Sequence, residues 1–366
     1  MKTQAAIIDT PDGDFRFRDI NLADPAADEV LVRLEACGVC HTDVSARVHM
    51  QLPAVLGHEG SGEVVAVGSD VSDVKPGDKV IMSFGWCGTC GACESGHGYV
   101  CERSVEGSLA GRRFDGSPTM TLDGEPISGA FFQQSSFAHY AITPARDVVV
   151  DKSGLAAELR AALPCGVMTG AGAMFNTFKL QAGQSVAVFG AGAVGLAAIM
   201  AAKILGADPI VAVDINPQRL ALALELGATH ALQADDEASA EAMSAICPTG
   251  FTYSLETSSH EAAFQQAVDC LGVRGTCGLV TVPHAGQPFP FSPFDVLVKC
   301  LRIEGIMLGS ATPRDFLPQL IDYHRQGQFP FDRLVKTYDF KDINAAFAEA
   351  ATGAVIKPVL TMPKQN

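Results

Sequence analysis

Apolar and polar positions along the first third of the chain form short β-branched runs, Glu29–Leu34, Gly62–Val67, Lys79–Met82 and Val148–Val150, separated by Gly, Pro and Asp. Short strands with frequent turn residues predict a β-rich, barrel-like domain. Near residue 165 the texture changes. The apolar run Ser185–Phe189 predicts a strand, 193–206 a helix, 209–214 a strand, 217–227 a helix and 229–233 another strand. Alternation of this kind builds parallel βαβ units. Runs 251–256 and 275–282 continue the sheet, amphipathic helical patterns follow at 315–327 and 343–353, and a last strand at Ile356–Leu360 is expected to rejoin the first domain. The fold class is therefore α/β: a β-rich domain plus a doubly wound parallel sheet.

Composition narrows the function. A chain of 366 residues, 48% hydrophobic and 18% charged, suits two globular domains. With 26 Lys+Arg against 41 Asp+Glu the net charge is −15, which argues against a nucleic-acid partner or an anionic membrane surface. Asp9 precedes any apolar stretch of signal length, and the longest apolar run, near Ala193–Ala202, is too short to span a bilayer. A soluble, cytoplasmic protein is expected. Eleven cysteines in so long a chain suggest metal binding rather than disulfides.

Four of those cysteines, Cys87, Cys90, Cys93 and Cys101, follow the spacing C-x2-C-x2-C-x7-C within a glycine-studded loop (85–103). Four thiolates around one zinc make a closed tetrahedral site, which stiffens a loop and leaves no position for substrate. Free or redox thiols are the alternative reading. A second set is dispersed: Cys40, His58 followed by Glu59, and Cys165. Two thiolates and one imidazole leave a fourth position open.

The stretch 57–68, GHEGSGEVVAVG, followed by Pro76-Gly-Asp-Lys-Val80 and combined with both cysteine patterns, resembles the zinc-dependent medium-chain alcohol dehydrogenases along essentially the whole chain. The resemblance implies that Cys40, His58 and Cys165 hold a catalytic Zn2+ and the four clustered cysteines a structural one, two ions per subunit. It makes Asp43 the carboxylate that orients the His58 ring, Glu59 an acid behind the metal, and Thr42 the hydroxyl that relays the alcohol proton. It also implies a GroES-like catalytic domain at 1–166 and 310–366 enclosing a Rossmann domain at 167–309, with the active site in the cleft and assembly as a homodimer or homotetramer.

Gly190, Gly192 and Gly195, with Ala193 and Val194 between the last two, form G-x-G-x-x-G between a predicted strand and a predicted helix. That context lets backbone N–H groups approach a pyrophosphate at the helix N-terminus. Asp214 ends the next strand, where a carboxylate accepts both adenosine-ribose hydroxyls and repels a 2′-phosphate, favouring NAD; helix capping before Pro217 is the alternative. Arg219 lies on the same edge and tempers that preference. By resemblance His41, Thr169 and Lys357 also contact the cofactor.

Ser45 stands where a relay histidine is often found in the resembled family, so the proton leaves past Thr42 through water, His49 or His41. Gly129–Ala138, the CGVMTGAGA run and Gln328–Lys336 look most like bacterial aryl-alcohol dehydrogenases. Phe131 and Phe132 would then face the substrate with Phe84, Trp86, Met307 and Val282, the last also beside the cofactor, in an apolar slot for a primary aryl or allylic alcohol or its aldehyde. Rival readings are a glutathione-dependent formaldehyde dehydrogenase, a general aliphatic alcohol dehydrogenase, and a non-catalytic relative of the fold.

Overall fold

The computed structural model describes residues 1–234, 238–281 and 291–363. They form two compact units: Met1–Cys165 with Thr312–Ile321 and Asp332–Asn366, and Gly166–Ala311 with Asp322–Phe331. The tail expected to return whole to the first unit from residue 310 thus divides. Residues 322–331 pack with the second unit, where Tyr323 stacks on Phe175 at 5.6 Å and His324 lies 4.7 Å from the Phe331 ring.

The first unit is organised by strand Glu29–Gly38. Its Val30, Val32 and Leu34 alternate inward, against Val64, Val80, Met82, Ala141 and Val148, as a period of two requires of a strand with one buried face. One edge pairs with Gly60–Val67 and the other is shared by Tyr140–Pro144 and Lys357–Thr361. Register shifts at Leu31/Val32 and Leu34/Ala36 bend the sheet there. The final strand thereby rejoins the first unit. A second sheet, in the order Ala54–Val55, Lys2–Ile8, Arg16–Leu22, Met120–Leu122 and Glu125–Ile127, contributes to a core of Ile7, Ile8, Leu22, Phe131, Phe137 and Leu360.

In the second unit, fully buried strands such as Val186–Phe189 and Ile210–Asp214 read as unbroken apolar runs because a parallel sheet is covered on both faces. The sheet runs His230–Gln233, Ile210–Asp214, Val186–Phe189, Phe251–Glu256, Leu271–Leu279 and Arg302–Gly305, all pairs parallel. Strand order reverses beside Val186–Phe189, the place where a doubly wound sheet opens a crevice for ligand.

One helical region escapes the hydrophobic pattern. Ala157–Ala162 continues into a π-helical turn, Leu163–Val167, then Met168–Gly172 and a second π-helical turn, Ala173–Thr177. Pro164 and three glycines mask it in the sequence. Pro164 lacks an N–H, which suits the widened turn, and Gly170 is required by contact, since a Cβ there would lie 1.9 Å from the Val194 carbonyl oxygen. Among the described residues no helix is long and apolar enough to cross a membrane.

Asp147 is buried in the first unit, 4.0 Å from Arg146 Nε. Burial pushes its carboxyl well above the ordinary aspartate range, opposed by the Arg146 charge. A carboxyl with a raised folded pKa costs nothing when protonated in both states and destabilises increasingly as pH climbs from about 4 toward the folded value. Asp147→Asn should therefore raise Tm by a few degrees (about 1 kcal/mol) at pH 7. That gain should vanish relative to the parent near pH 4; equal Tm values at pH 7, by calorimetry, would contradict it.

Candidate metal and dinucleotide sites

The pairing of Cys37 with Gly60, and the Gly38 N–H bond to the Glu59 carbonyl at 3.0 Å, bring the segments bearing Cys40 and His58 side by side. Cys40 caps the short helix His41–Ala46, and Cys165 sits on the π-helical turn. The sulfurs of Cys40 and Cys165 are 3.8 Å apart, and His58 Nε2 is 3.4 Å from Cys165 Sγ. Tetrahedral ligands at zinc-like bond lengths stand about 3.5–3.8 Å from one another, so the donor set fits that ion.

Asp43, fully buried, fixes two of these donors. One carboxylate oxygen accepts from His58 Nδ1 at 3.0 Å and from the Gly57 N–H at 3.2 Å; the other accepts the Cys40 N–H at 2.9 Å. The Nδ1 bond leaves Nε2 free to ligate. Burial works against a charged imidazole, but the Asp43 carboxylate outweighs it and holds His58 well above its ordinary pKa. Hydrogen bonding to Cys165 holds the Cys40 thiol well below its ordinary value, while Cys165, facing Cys40, is pushed well above. Zinc is ligated by thiolates, so a metal held here would favour loss of the proton from Cys165 as well.

Glu59 joins the same cluster, within 4.8 Å of the other donor atoms. One oxygen is bonded to the Lys357 ammonium; the other is buried without a hydrogen-bond partner, an orphaned acceptor that fits a cation held among these donors. Lys357, expected to contact the cofactor, is only 3% exposed and engages Glu59 and, at 3.4 Å, the Val39 carbonyl. A buried ammonium needs that counter-charge. The Thr42 hydroxyl lies 3.6 Å from Cys40 Sγ, His41 and His49 are exposed, and Ser45 Oγ donates to the His41 carbonyl at 3.4 Å.

The four clustered cysteines converge as well, with sulfurs at 3.8 Å (Cys87–Cys93), 3.3 Å (Cys90–Cys93) and 3.9 Å (Cys90–Cys101). Backbone N–H groups of Cys87 and Glu102 point at Cys101 and Cys90 sulfurs. Burial opposes ionisation of Cys87, yet hydrogen bonds from Thr89 bring it to about 6; burial pushes Cys93 up to about 12. Such a set suits thiolate ligation with no open position.

In the second unit Gly190 adopts φ +95°, a left-handed turn conformation, and a Cβ on Gly195 would lie 1.8 Å from the Gly190 carbonyl oxygen. The Gly192 Cα faces open space, as an approach to phosphate requires. Ala193 and Val194 open helix Ala193–Ile204. Asp214 ends its strand and accepts the Ala191 N–H at 2.5 Å and the Asn216 N–H at 2.8 Å. The cap of the next helix is Asn216, which accepts from Gln218 and Arg219 N–H groups, so the capping alternative for Asp214 does not hold. Thr169 is buried in the same unit, and Val282 lies outside the described residues.

The aromatic candidates part company. Phe132 stacks on the His58 ring at 4.8 Å, and Phe131 meets it edge-on at 5.4 Å. Phe84 is buried, and Met307, 55% exposed, belongs to the second unit. Trp86 packs its ring over Gly98 in the four-cysteine loop, whose small apolar core it completes. Sequence reasoning missed Gln134, which bonds the backbone around His58. Its signal was a run of four polar residues, 133–136, between phenylalanines, which reads as a surface loop but is buried.

The chain belongs to the zinc-binding alcohol dehydrogenase family: residues 26–153 match the alcohol dehydrogenase GroES-like domain and residues 193–323 the zinc-binding dehydrogenase domain. It is a zinc-dependent oxidoreductase of small-molecule alcohols working with a nicotinamide dinucleotide. It is 42% identical to the geraniol dehydrogenase of Castellaniella defragrans over 366 residues, covering 98% of each chain. Two solved structures are similar throughout. An alcohol dehydrogenase zinc-binding domain protein from Burkholderia ambifaria gives a TM-score of 0.97 at 42% identity, with 100% of both chains covered. Benzyl alcohol dehydrogenase from Acinetobacter calcoaceticus gives 0.95 at 37% identity, covering 99% of this chain and 100% of that one.

Asp43→Asn should weaken retention of the metal at Cys40, His58 and Cys165 about 10–100-fold while sparing the four-cysteine lobe. Metal content after timed exposure to chelator measures this; parent-like retention would dismiss the anchoring role.

Proposed function

We propose that the chain interconverts primary aryl or allylic alcohols and their aldehydes with NAD, holding two zinc ions per subunit. The observation that carries the reading is the convergence of Cys40 Sγ, Cys165 Sγ and His58 Nε2, with Phe131 and Phe132 against the imidazole. Cys87, Cys90, Cys93 and Cys101 would hold the second ion. Held by Cys40, His58 and Cys165, zinc would supply Lewis-acid polarisation of the substrate oxygen, and a bound nicotinamide would supply the hydride exchange.

The protein's own groups prepare and clear the site. Asp43 keeps the His58 ring oriented, and Lys357 balances Glu59 so that negative charge does not accumulate around two thiolates. Thr42, beside Cys40, takes the substrate proton and passes it outward. Ser45 is turned to the His41 carbonyl, which leaves the exposed His41 and His49 and solvent as its continuations. Asp214 at the strand end supports NAD over NADP, and a bonded ribose would replace its present backbone partners in part. The substrate class draws support from the aromatic pair and from relatives named for geraniol and for benzyl alcohol.

Assembly as a homo-oligomer is supported by the second unit's edge strand Arg302–Gly305, all four residues of which are exposed, next to exposed Phe294, Leu297 and Val298. Among the described residues this edge has no further strand paired to it, and such an edge invites a paired copy.

Thr42→Val should lower kcat about 100-fold or more while zinc content and NAD binding persist; retained turnover removes Thr42 from the proton path. A kcat/KM panel with NAD and NADP should rank benzyl alcohol and geraniol with NAD highest. Preference for S-hydroxymethylglutathione, or for short aliphatic alcohols, would sink the aryl and allylic reading.

A further inference from the structure

We propose that Gln134 is a positioning residue for His58, acting together with the ring of Phe132 on the same turn. This role rests on the Cys2His zinc site proposed above.

The four side chains of Gln133, Gln134, Ser135 and Ser136 are 3%, 0%, 0% and 0% exposed, so each buried donor and acceptor must find a partner. Gln134 finds four. Its amide nitrogen donates to the His58 carbonyl at 2.9 Å and to the Ser83 carbonyl at 2.8 Å; its oxygen accepts the Gly60 N–H at 3.0 Å and the Ser136 hydroxyl. Two carbonyls on one side and a backbone N–H on the other allow a single orientation of the carboxamide. These bonds grip the main chain at His58 itself and two residues beyond it, and tie both to the end of strand Lys79–Met82 through Ser83. Asp43 holds the ring edge; Gln134 holds the backbone from which the ring projects.

The turn that carries Gln134 is strained. Phe132, Gln133 and Ser135 have φ of 50°, 57° and 51°, left-handed values that side chains other than glycine adopt only when their surroundings over-determine them. The surroundings do so. Gln133 donates to the Gly107 and Arg112 carbonyls, and Ser135 Oγ accepts from the Phe131 N–H and donates to the Val55 carbonyl. The result lays Phe132 on the face of the imidazole, 4.8 Å away at 29° between planes, with Phe131 edge-on at 87°. Backbone, ring edge and ring face of His58 are thus all held, and the strain serves to place the third contact.

Full-length protein loaded with cobalt(II) in place of zinc tests this. Gln134→Glu keeps the bulk and both acceptor contacts but loses the two donors. It should retain parent-like far-UV circular dichroism and the cobalt of the four-cysteine lobe, yet show shifted visible ligand-field bands for the second cobalt and release it to chelator about 10–100-fold faster. Should that variant fail to fold, Gln134→Asn, which keeps an amide but draws it back from the His58 carbonyl by one methylene, carries the same expectation. Parent-like bands and release in the folded variant overturn the proposal. If the parent takes up one cobalt only, the site reading falls and the proposal with it; two cobalts in the parent with unchanged variants overturn the proposal alone.

Discussion

The carboxylate of Asp43 is the contact on which the rest of the site depends. It is fully buried and receives three hydrogen bonds, from the Cys40 N–H, the Gly57 N–H and the His58 ring. A buried charge with several donors is tolerated where an isolated one is not. Those donors belong to two chain segments that reach it only because strands Glu29–Gly38 and Gly60–Val67 pair in the register that sets Cys37 opposite Gly60. Slip that register by one residue and the faces exchange; Cys40 and His58 would no longer share an anion. Sheet, capping residue and ligand geometry are thus one construction.

The two cysteine sets solve different problems. The lobe at 87–101 gathers four donors from fifteen successive residues, so its closure costs little chain entropy and its glycines accommodate the tight path. Cys40, His58 and Cys165 span 125 residues between the first and last donor, and nothing local could assemble them. Their charge is handled differently too. Glu59 adds a carboxylate to a pair of thiols, and Lys357, brought from the last strand, offsets it within the same buried volume. That ion pair ties the strand Lys357–Thr361, which itself pairs with Glu29–Gly38, to the cluster of Cys40, His58 and Cys165.

Around this frame the structure limits motion where the chemistry needs direction. The His58 ring has Asp43 on its edge and Phe132 on its face, and its backbone is held by Gln134. By contrast His41, Ser45 and His49 are exposed, which suits groups that exchange protons with solvent. In the second unit the glycine turn is locked by contact at Gly195 and open at Gly192, the division between packing and access that a dinucleotide-binding turn calls for.

The sequence by itself determined what depends on local periodicity and spacing: the βαβ alternation, the strand–glycine–helix motif, the four-cysteine loop and most element positions, from Lys79–Met82 to Phe251–Glu256. Those features are written in neighbouring residues. Tertiary structure alone decided what depends on distant partners. It gave Lys357 to Glu59, placed Trp86 over the cysteine loop, buried the polar run 133–136 and divided the tail at residue 322. A helix carrying Pro164 and Gly170 was hidden for the same reason: its glycine answers a contact with Val194, far along the chain. Periodicity reports which face of an element is apolar; it carries no record of which buried polar group will meet which, because that pairing is set by register and packing across the fold.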